Sequence, residues 1–531
     1  MPKSDLAAPP NRGWWWESAF LLLLCYIKAG WPPPDVNEAH YLGKAKHFWD
    51  PTWAAGDFFL QSADAHAPFY FAFGWVTLLV SLPATAWIGR LLIWGLISLA
   101  WQRLSWALVP VRFAAVISGA LMIVLSQVGH MAGEWIIGGV EAKGFAFALV
   151  FWGLERMVRN RWNATFVLFG GAAAFHVLVG GWAVVAAGIA WLAMGSQRPA
   201  LVRLLPGLAG GFALSLLGLV PAILLSRGVD PATLQEANYI YVFERLPHHL
   251  VFHQFPHAWI ARHAALVLVF FGLAFLALRT DRARLDVRRL LGFVGGAVGI
   301  AIVGIIIDQS TLYHDTIAAR LLRFYWYRPA DAMVPCGVAL LLPLVIEQQR
   351  SRRPQLAAWA SVGVLLLAFG PLLAWNFQRQ QHPLPGATLQ TAQQGEQPLT
   401  MAEAEARHAD WVATGRWIAE NTPRDAIFLT PRNQQTFKWY AQRAEVVAVK
   451  DIPQDARGIV DWRKRLNDVF AYPVNRYGYA ALSDEQMAAL ANRYGASFVI
   501  LDNSPRMPPW KKVYPLLDET NDTYAVYEVP R

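Results

Sequence analysis

The sequence predicts an α-helical polytopic membrane protein of about eleven transmembrane helices, followed by a C-terminal α/β domain outside the membrane. Three observations predict it. Over 531 residues, 55% are hydrophobic and only 16% charged, with 25 Trp, a balance too apolar for a water-soluble chain. Long uncharged runs recur through residues 1–375 and then stop. The basic residues gather in alternate connections between these runs, so the formal charge of +9 reads as membrane orientation and not as a nucleic-acid surface.

Residues 1–13 are short and polar, and the run at 14–31 lacks a small-residue cleavage site, so a retained first helix is expected and not a signal peptide. Further spans are expected at 84–101, 112–127, 142–158, 163–179, 180–195, 203–225, 259–278, 289–307, 329–347 and 355–375. The turn between the fifth and sixth is placed at Gly180-Gly181. With the N-terminus cytoplasmic, Arg103, Arg112, Arg198, Arg203 and the basic clusters at 156–161, 279–289 and 350–353 all fall on the cytoplasmic side. Counting 68–82 as a twelfth crossing breaks that pattern, so this aromatic segment reads as an interfacial helix in the first outer loop.

An odd number of crossings puts the C-terminus outside. The expected organisation is a transmembrane module at 1–377, with outer loops at 32–83 and 128–141, a Gln- and Pro-rich linker at 378–401, and a soluble extracytoplasmic domain at 402–531. Within that domain helices are expected at 402–420, 434–443 and 484–494, and strands at 426–430, 445–449, 497–501 and 524–529. Cys25 and Cys336 lie inside apolar runs, which leaves neither a disulfide framework nor a thiolate metal site.

The candidate chemistry lies in the outer loops. Just past the first span and its Pro32-Pro33-Pro34 stop, Asp35 and Glu38 sit three apart, on one face if the stretch is helical. Each reads either as a general base beside the membrane or as part of a helix cap. The second outer loop adds Glu134, Glu141 and Lys143 around Gly138-Gly139, where the glycines permit close backbone approach. Acids from two loops converging on one cavity would mark a reaction site. Arg320, Arg323 and Arg328, interleaved with Phe324, Tyr325, Trp326 and Tyr327, fall on the outer side against the charge trend, as either a phosphate-binding group or an aromatic belt. His248, His249, His253 and His257 have a spacing that would suit zinc, but Pro247 and Pro256 interrupt the helix, which favours a polar interfacial segment. His176 reads as a packing residue between helices.

In order and spacing these segments resemble the GT-C class of multi-pass glycosyltransferases that use polyprenyl-phosphate sugars, the bacterial-type protein mannosyltransferases and aminoarabinose transferases among them. Asn37-Glu38-Ala39-His40-Tyr41 occupies the place of an Asp-Glu-x-x-Tyr motif, with Asn37 replacing the first acid and Asp35 two residues upstream. Gly56-Asp57 matches a Gly-Asp segment, His66-Ala67-Pro68-Phe69-Tyr70 a His-x-Pro-x-Tyr segment, Glu141 the acid heading the fourth helix, and Arg323-Phe324-Tyr325 a late Arg-Phe-Tyr segment. The resemblance covers about the first 200 residues. It implies an inverting hexosyl- or pentosyltransferase, with Asp35, Glu38 and Glu141 as catalytic residues. His40, Tyr41, Asp57, His66, Glu134, Lys143, Arg320, Arg323, Tyr325 and Arg328 would bind substrate.

The resemblance assigns no metal ligand. Many members of the class use a divalent cation, magnesium or manganese, and others none, so the cofactor stays open. Its implied partners are a lipid-linked sugar donor and an acceptor (a protein, a glycan or a lipid), with no nucleic acid. Its implied location is the cytoplasmic (inner) membrane, with the N-terminus inside and the C-terminal domain outside and packed over the cavity. The alternatives are a transporter or flippase of a lipid-linked substrate, or a non-catalytic membrane scaffold. No internal repeat supports the former.

Overall fold

The computed structural model describes residues 13–393, 398–432, 434–471, 478–502, 507–516 and 520–530. Residues 1–12 and 394–397, parts of the expected cytoplasmic start and linker, lie outside the described residues. The expected spans are helices: α1 (Trp14–Ala29), α2 (Leu82–Leu108), α3 (Ala114–Val128), α4 (Ala142–Val158), α5 (Trp162–Phe175), α6 (Val177–Ala193), α7 (Leu205–Leu224), α8 (His257–Thr280), α9 (Leu285–Ser310), α10 (Arg328–Arg350) and α11 (Pro354–Gln381).

Among the described residues, six of these, α2 and α7 through α11, are long and apolar enough to cross a membrane unaided, α7 together with the 3₁₀ turn before it. The other five have 14 to 17 residues. That is about 21 to 26 Å at ~1.5 Å per residue, short of a hydrocarbon core of ~30 Å.

The break between α5 and α6 falls at His176, whose backbone is extended, and not at Gly180-Gly181. Gly180 lies inside α6, where a Cβ would meet the Ala173 backbone nitrogen of α5 at 2.1 Å. The missing side chain lets the two helices touch, which is the use small residues have between membrane helices. The same device seats α7, which buries only Gly207, Gly211 and Gly218 against Asn163, Phe166 and Ala173 of α5.

The helices alternate between two ends. At one, Arg284 donates to the Leu108 carbonyl (2.8 Å), Arg289 to Val158 (2.8 Å) and Asn163 to Arg203 (2.9 Å), so connections carrying the basic clusters lie together. At the other, Arg379 donates to Ile27 (3.2 Å) and His263 Nδ1 lies 2.8 Å from the Gly129 carbonyl oxygen. The helical stretch Ala67–Leu79 buries Phe69, Tyr70, Phe73 and Val76 and exposes Phe71, Trp75, Leu78 and Leu79, the amphipathic face of an interfacial segment.

Beyond α11 a short helix, Gly386–Gln393, returns to the first loop, where Ala387 N–H donates to the Pro34 carbonyl (3.2 Å). The C-terminal domain comprises α12 (Met401–Asn421), β1 (Ile427–Leu429), α13 (Phe437–Ala441), β2 (Ala444–Glu445), α14 (Ala456–Phe470), α15 (Asp484–Arg493), β3 (Phe498–Asp502), β4 (Lys512–Tyr514) and β5 (Tyr524–Glu528). The sheet order is β2-β1-β3-β5-β4, with β2, β1 and β3 parallel and β5 antiparallel to its neighbours. Capping boxes open α12 (Thr400 with Glu403) and α15 (Ser483 with Gln486).

Helix α14 was not anticipated, although Asp455 caps it and Ile459, Trp462, Leu466 and Val469 recur on one buried face. Strand β2 has two residues where five were expected. After Glu445 the chain leaves the sheet and carries Asp451 to His40 of the first loop and Lys450 to Gln390 of the connecting helix.

Candidate active site

Glu38 opens the first-loop helix Glu38–Trp49 and is fully buried. Arg90, about 12 Å along α2 at ~1.5 Å per residue, donates Nε–H to Oε1 (2.7 Å) and Nη2–H to Oε2 (2.6 Å). Val140 N–H (2.9 Å) and Asp35 N–H (2.7 Å) also donate to the same carboxylate. An arginine at this depth in an apolar helix requires a counter-charge, and Glu38 provides it in bidentate form. With four donors on two oxygens, Glu38 ties the first loop to the second. Gly139 makes the junction possible, since a Cβ there would meet Asp35 Cβ and Glu38 Cγ at 2.7 Å. Asp35 itself accepts from Val36 N–H (2.8 Å) and lies against Gly386. The helix N-cap is Asn37.

Asn37 instead turns its amide to Glu141, donating Nδ2–H to Oε1 (3.1 Å). Glu141, 3% exposed, has Lys143 Nζ at 3.8 Å, and burial raises its carboxyl above the ordinary range. Lys143 sits 2.9 Å from Glu134 Oε1 and over the Trp135 ring at 3.8 Å. Arg328, at the head of α10, donates Nε–H to Glu134 Oε2 (2.5 Å), lies 3.1 Å from His176 Nε2, and stacks on Tyr325 at 4.0 Å. Burial alone would raise Glu134, but Arg328 and Lys143 hold it down to about 2. Tyr325, in the left-handed region at φ 54°, places its hydroxyl 3.2 Å from that of Tyr241. One turn along from Arg328, Asp331 accepts from Met131, Ala132 and Glu134 N–H (2.8, 2.9 and 3.3 Å), which fixes the loop that delivers Glu134.

The C-terminal domain covers this cluster through the first loop. His40 Nδ1 lies 2.9 Å from Asp451 Oδ1. Lys438 contacts Asp451 (2.6 Å), Glu445 (2.7 Å) and Asp57 (3.5 Å), all buried. Asp57 caps the turn Phe58–Gln61 and accepts from Glu445 N–H (3.1 Å), so its place is in the domain junction. His66 pairs with Asp64 (3.0 Å) and Gln454 (2.8 Å), and Tyr41 sets its ring edge-on to His66 and Phe69. From the domain side Lys450 reaches Gln390 (3.3 Å). Burial, then repulsion from Arg245, lowers Lys450 to about 8.

Of the three expected arginines only Arg328 joins the cluster. Arg323 donates to Asn238 (2.5 Å), and Arg320 is exposed on the helix Asp315–Leu322. Arg328 also lines a narrow apolar cleft, with room of only about 20 Å³, beside Phe147, Leu178, Trp182, Phe293 and Met333 from α4, α6, α9 and α10.

The loop histidines serve separate partners. His249 Nδ1 lies 2.5 Å from the Ala132 carbonyl oxygen and His253 Nδ1 3.1 Å from Asp308. Among the described residues no group of three or more His, Cys, Asp or Glu is placed to hold a metal ion. This cluster does not fit a divalent cation, because Arg90 occupies Glu38 and an amide and an ammonium flank Glu141.

Sequence reasoning missed Arg90, Asp331, Lys438, Asp451 and Lys450. The first two carried a signal, as lone ionised residues inside apolar runs. His176, read as packing, touches the cluster through Arg328.

Residues 409–469 match a family described as a domain of unknown function, DUF6798. No curated protein matches the sequence. Among solved structures, the chain is similar to an oligosaccharyltransferase of Archaeoglobus fulgidus in complex with zinc and sulfate (13% identity, TM-score 0.49, covering 91% of this chain and 67% of that one). It is also similar to ArnT from Cupriavidus metallidurans bound to undecaprenyl phosphate (14%, TM-score 0.47, 98% and 99%). A third is oligosaccharyltransferase AglB from Archaeoglobus fulgidus with an inhibitory peptide and a dolichol-phosphate (12%, TM-score 0.38, 94% and 66%). These are glycosyltransferases of the class that the sequence motifs resemble. At TM-scores below 0.5 the functional reading rests on the chain's own residues.

Proposed function

We propose that this membrane protein is an inverting glycosyltransferase that moves a hexosyl or pentosyl group from a polyprenyl-phosphate carrier to an acceptor at the outer face of the cytoplasmic membrane. One observation carries the reading: a single arginine, Arg328, joins an apolar cleft to a buried acidic cluster whose second carboxylate, Glu141, is held only by an amide and a distant ammonium. The apolar side chains of the cleft contact the start of the hydrocarbon tail and Arg328 takes the phosphate. Glu141, raised by burial, accepts the proton from the acceptor hydroxyl or amine as that atom attacks the anomeric carbon. The carbon–oxygen bond to phosphate breaks on the opposite face as the new bond forms, and the departing charge rests on Arg328. Asp35 and Glu38, expected as alternative bases, shape the pocket. The soluble domain, docked through Lys438 and Asp451, brings Lys450 to the entrance and screens the acceptor.

The test is transfer of label from a polyprenyl-phosphate sugar in membranes. Glu141→Gln should express and insert normally yet lose about a hundredfold or more in rate. Transfer at the wild-type rate by Glu141→Gln would end this reading and favour the transporter.

A further inference from the structure

The bundle end opposite the acidic cluster holds a second and larger cleft, of about 450 Å³, between α3, α10 and α11. Its walls are apolar, with Ile117, Pro343 and Leu365 prominent, and its charged lining residues are Arg112 and Arg350, with Glu347 as the acid. Glu347 is already engaged by Arg350 at 3.3 Å. Arg112 is exposed, and no carboxylate lies within ion-pair distance of it among the described residues. Exposed Arg352 and Arg353 follow Arg350 in the connection to α11, so the rim is positive after its one acid is counted.

The chain shapes this rim at a conformational cost. Phe113, next to Arg112, is held in the left-handed region at φ 63°, where bulky residues are disfavoured. Its N–H donates to buried Glu17 (2.7 Å), which also accepts from Gln102 (2.9 Å). The turn that presents Arg112 is therefore pinned from inside the bundle. Small residues on α11, Ala357, Ala358 and Ser361, leave the cleft open, and Pro343 lies inside α10 where it removes one helical hydrogen bond.

We propose that this cleft is a binding site for an anionic glycerophospholipid of the surrounding bilayer, its acyl chain in the apolar groove and its phosphate on Arg112 and Arg350. Basic pockets between membrane helices select anionic headgroups by charge, and apolar walls of this depth select a chain in place of a soluble anion. The cleft is separate from the Arg328 cleft and at the opposite end of the helices, so the proposal stands independently of the transferase reading.

The test uses the full chain purified in neutral detergent, with phosphatidylglycerol and phosphatidylcholine as probes and native mass spectrometry as readout. Wild type should retain phosphatidylglycerol at least tenfold over phosphatidylcholine. Arg112→Gln with Arg350→Gln should bring the two within about twofold, and Ser361→Leu, which fills the groove, should reduce retention of both. Arg328→Gln should leave the preference intact. If the double variant fails to fold, Arg112→Gln alone carries the comparison, since that side chain makes no ion pair among the described residues. Equal retention of the two lipids by wild type, an unchanged preference in the arginine variants, or loss of the preference in Arg328→Gln would overturn the proposal. So would displacement of phosphatidylglycerol by inorganic phosphate.

Discussion

Replacing Glu38 by glutamine separates the structural role found here from the catalytic role the sequence suggested. A carboxylate base exchanged for its amide should leave the fold intact and remove turnover. The structure gives the opposite expectation. Two of the four donors to Glu38 belong to one guanidinium, at 2.7 and 2.6 Å, and neither partner is exposed. Glutamine keeps one acceptor oxygen and turns an NH₂ group toward Arg90 or Val140, so Arg90 is left charged and unpaired among apolar helices. Removing one member of a buried pair costs about 3–5 kcal/mol, and the lost Val140 contact adds to that. Tryptophan fluorescence during thermal unfolding in detergent should show Glu38→Gln with a midpoint several degrees lower, and a transfer assay should show activity falling with the folded fraction. Glu38→Gln with Arg90→Gln, which removes both charges, should recover much of the midpoint. A Glu38→Gln protein as stable as wild type but inactive would refute this reasoning and restore Glu38 as the base.

Arg328→Gln should raise the KM for the polyprenyl donor at least tenfold, whereas Arg320→Gln, exposed and outside the cluster, should leave kcat and KM unchanged in the same assay. Glu134, held to about 2, and Asp64 and Asp451, held well below the usual carboxylate range, are depressed in the fold. Their stabilisation is present above the ordinary carboxylate pKa and lost as pH falls, about 3 kcal/mol for Glu134 alone at 1.36 kcal/mol per unit. The unfolding midpoint should hold between pH 7 and 5 and drop below pH 4, less steeply in Glu134→Gln. Glu141 is shifted the other way, so transfer should rise with pH through a pKa above the ordinary carboxylate value. Reporters fused after Arg531 should register outside, and at Arg159 and Arg352 inside; an internal C-terminus would reverse the proposed orientation.

What the sequence determined by itself followed from local and additive properties. Uncharged run length located the helices, the alternation of basic connections matched the two bundle ends, and the order of the Asn37-Glu38, His66 and Glu141 segments singled out the two loops that meet through Asn37 and Glu141. These features depend on solvent preference and near neighbours, which a linear reading can sum. The α5–α6 break escaped it because glycine reads as a breaker, yet Gly180 is retained inside a helix for the sake of contact with Ala173.

The tertiary structure alone decided which charges meet. Glu38 is 52 positions from Arg90, Glu134 is 194 from Arg328, and His40 is 411 from Asp451. The consequence for chemistry is direct, because a buried carboxylate's role is set by its partners. The same side-chain type became a locked counter-ion at Glu38, an ion-paired anchor at Glu134 and a raised acid at Glu141. No local pattern distinguishes them, since the energy that separates the roles arises only when remote segments exclude water from the pair.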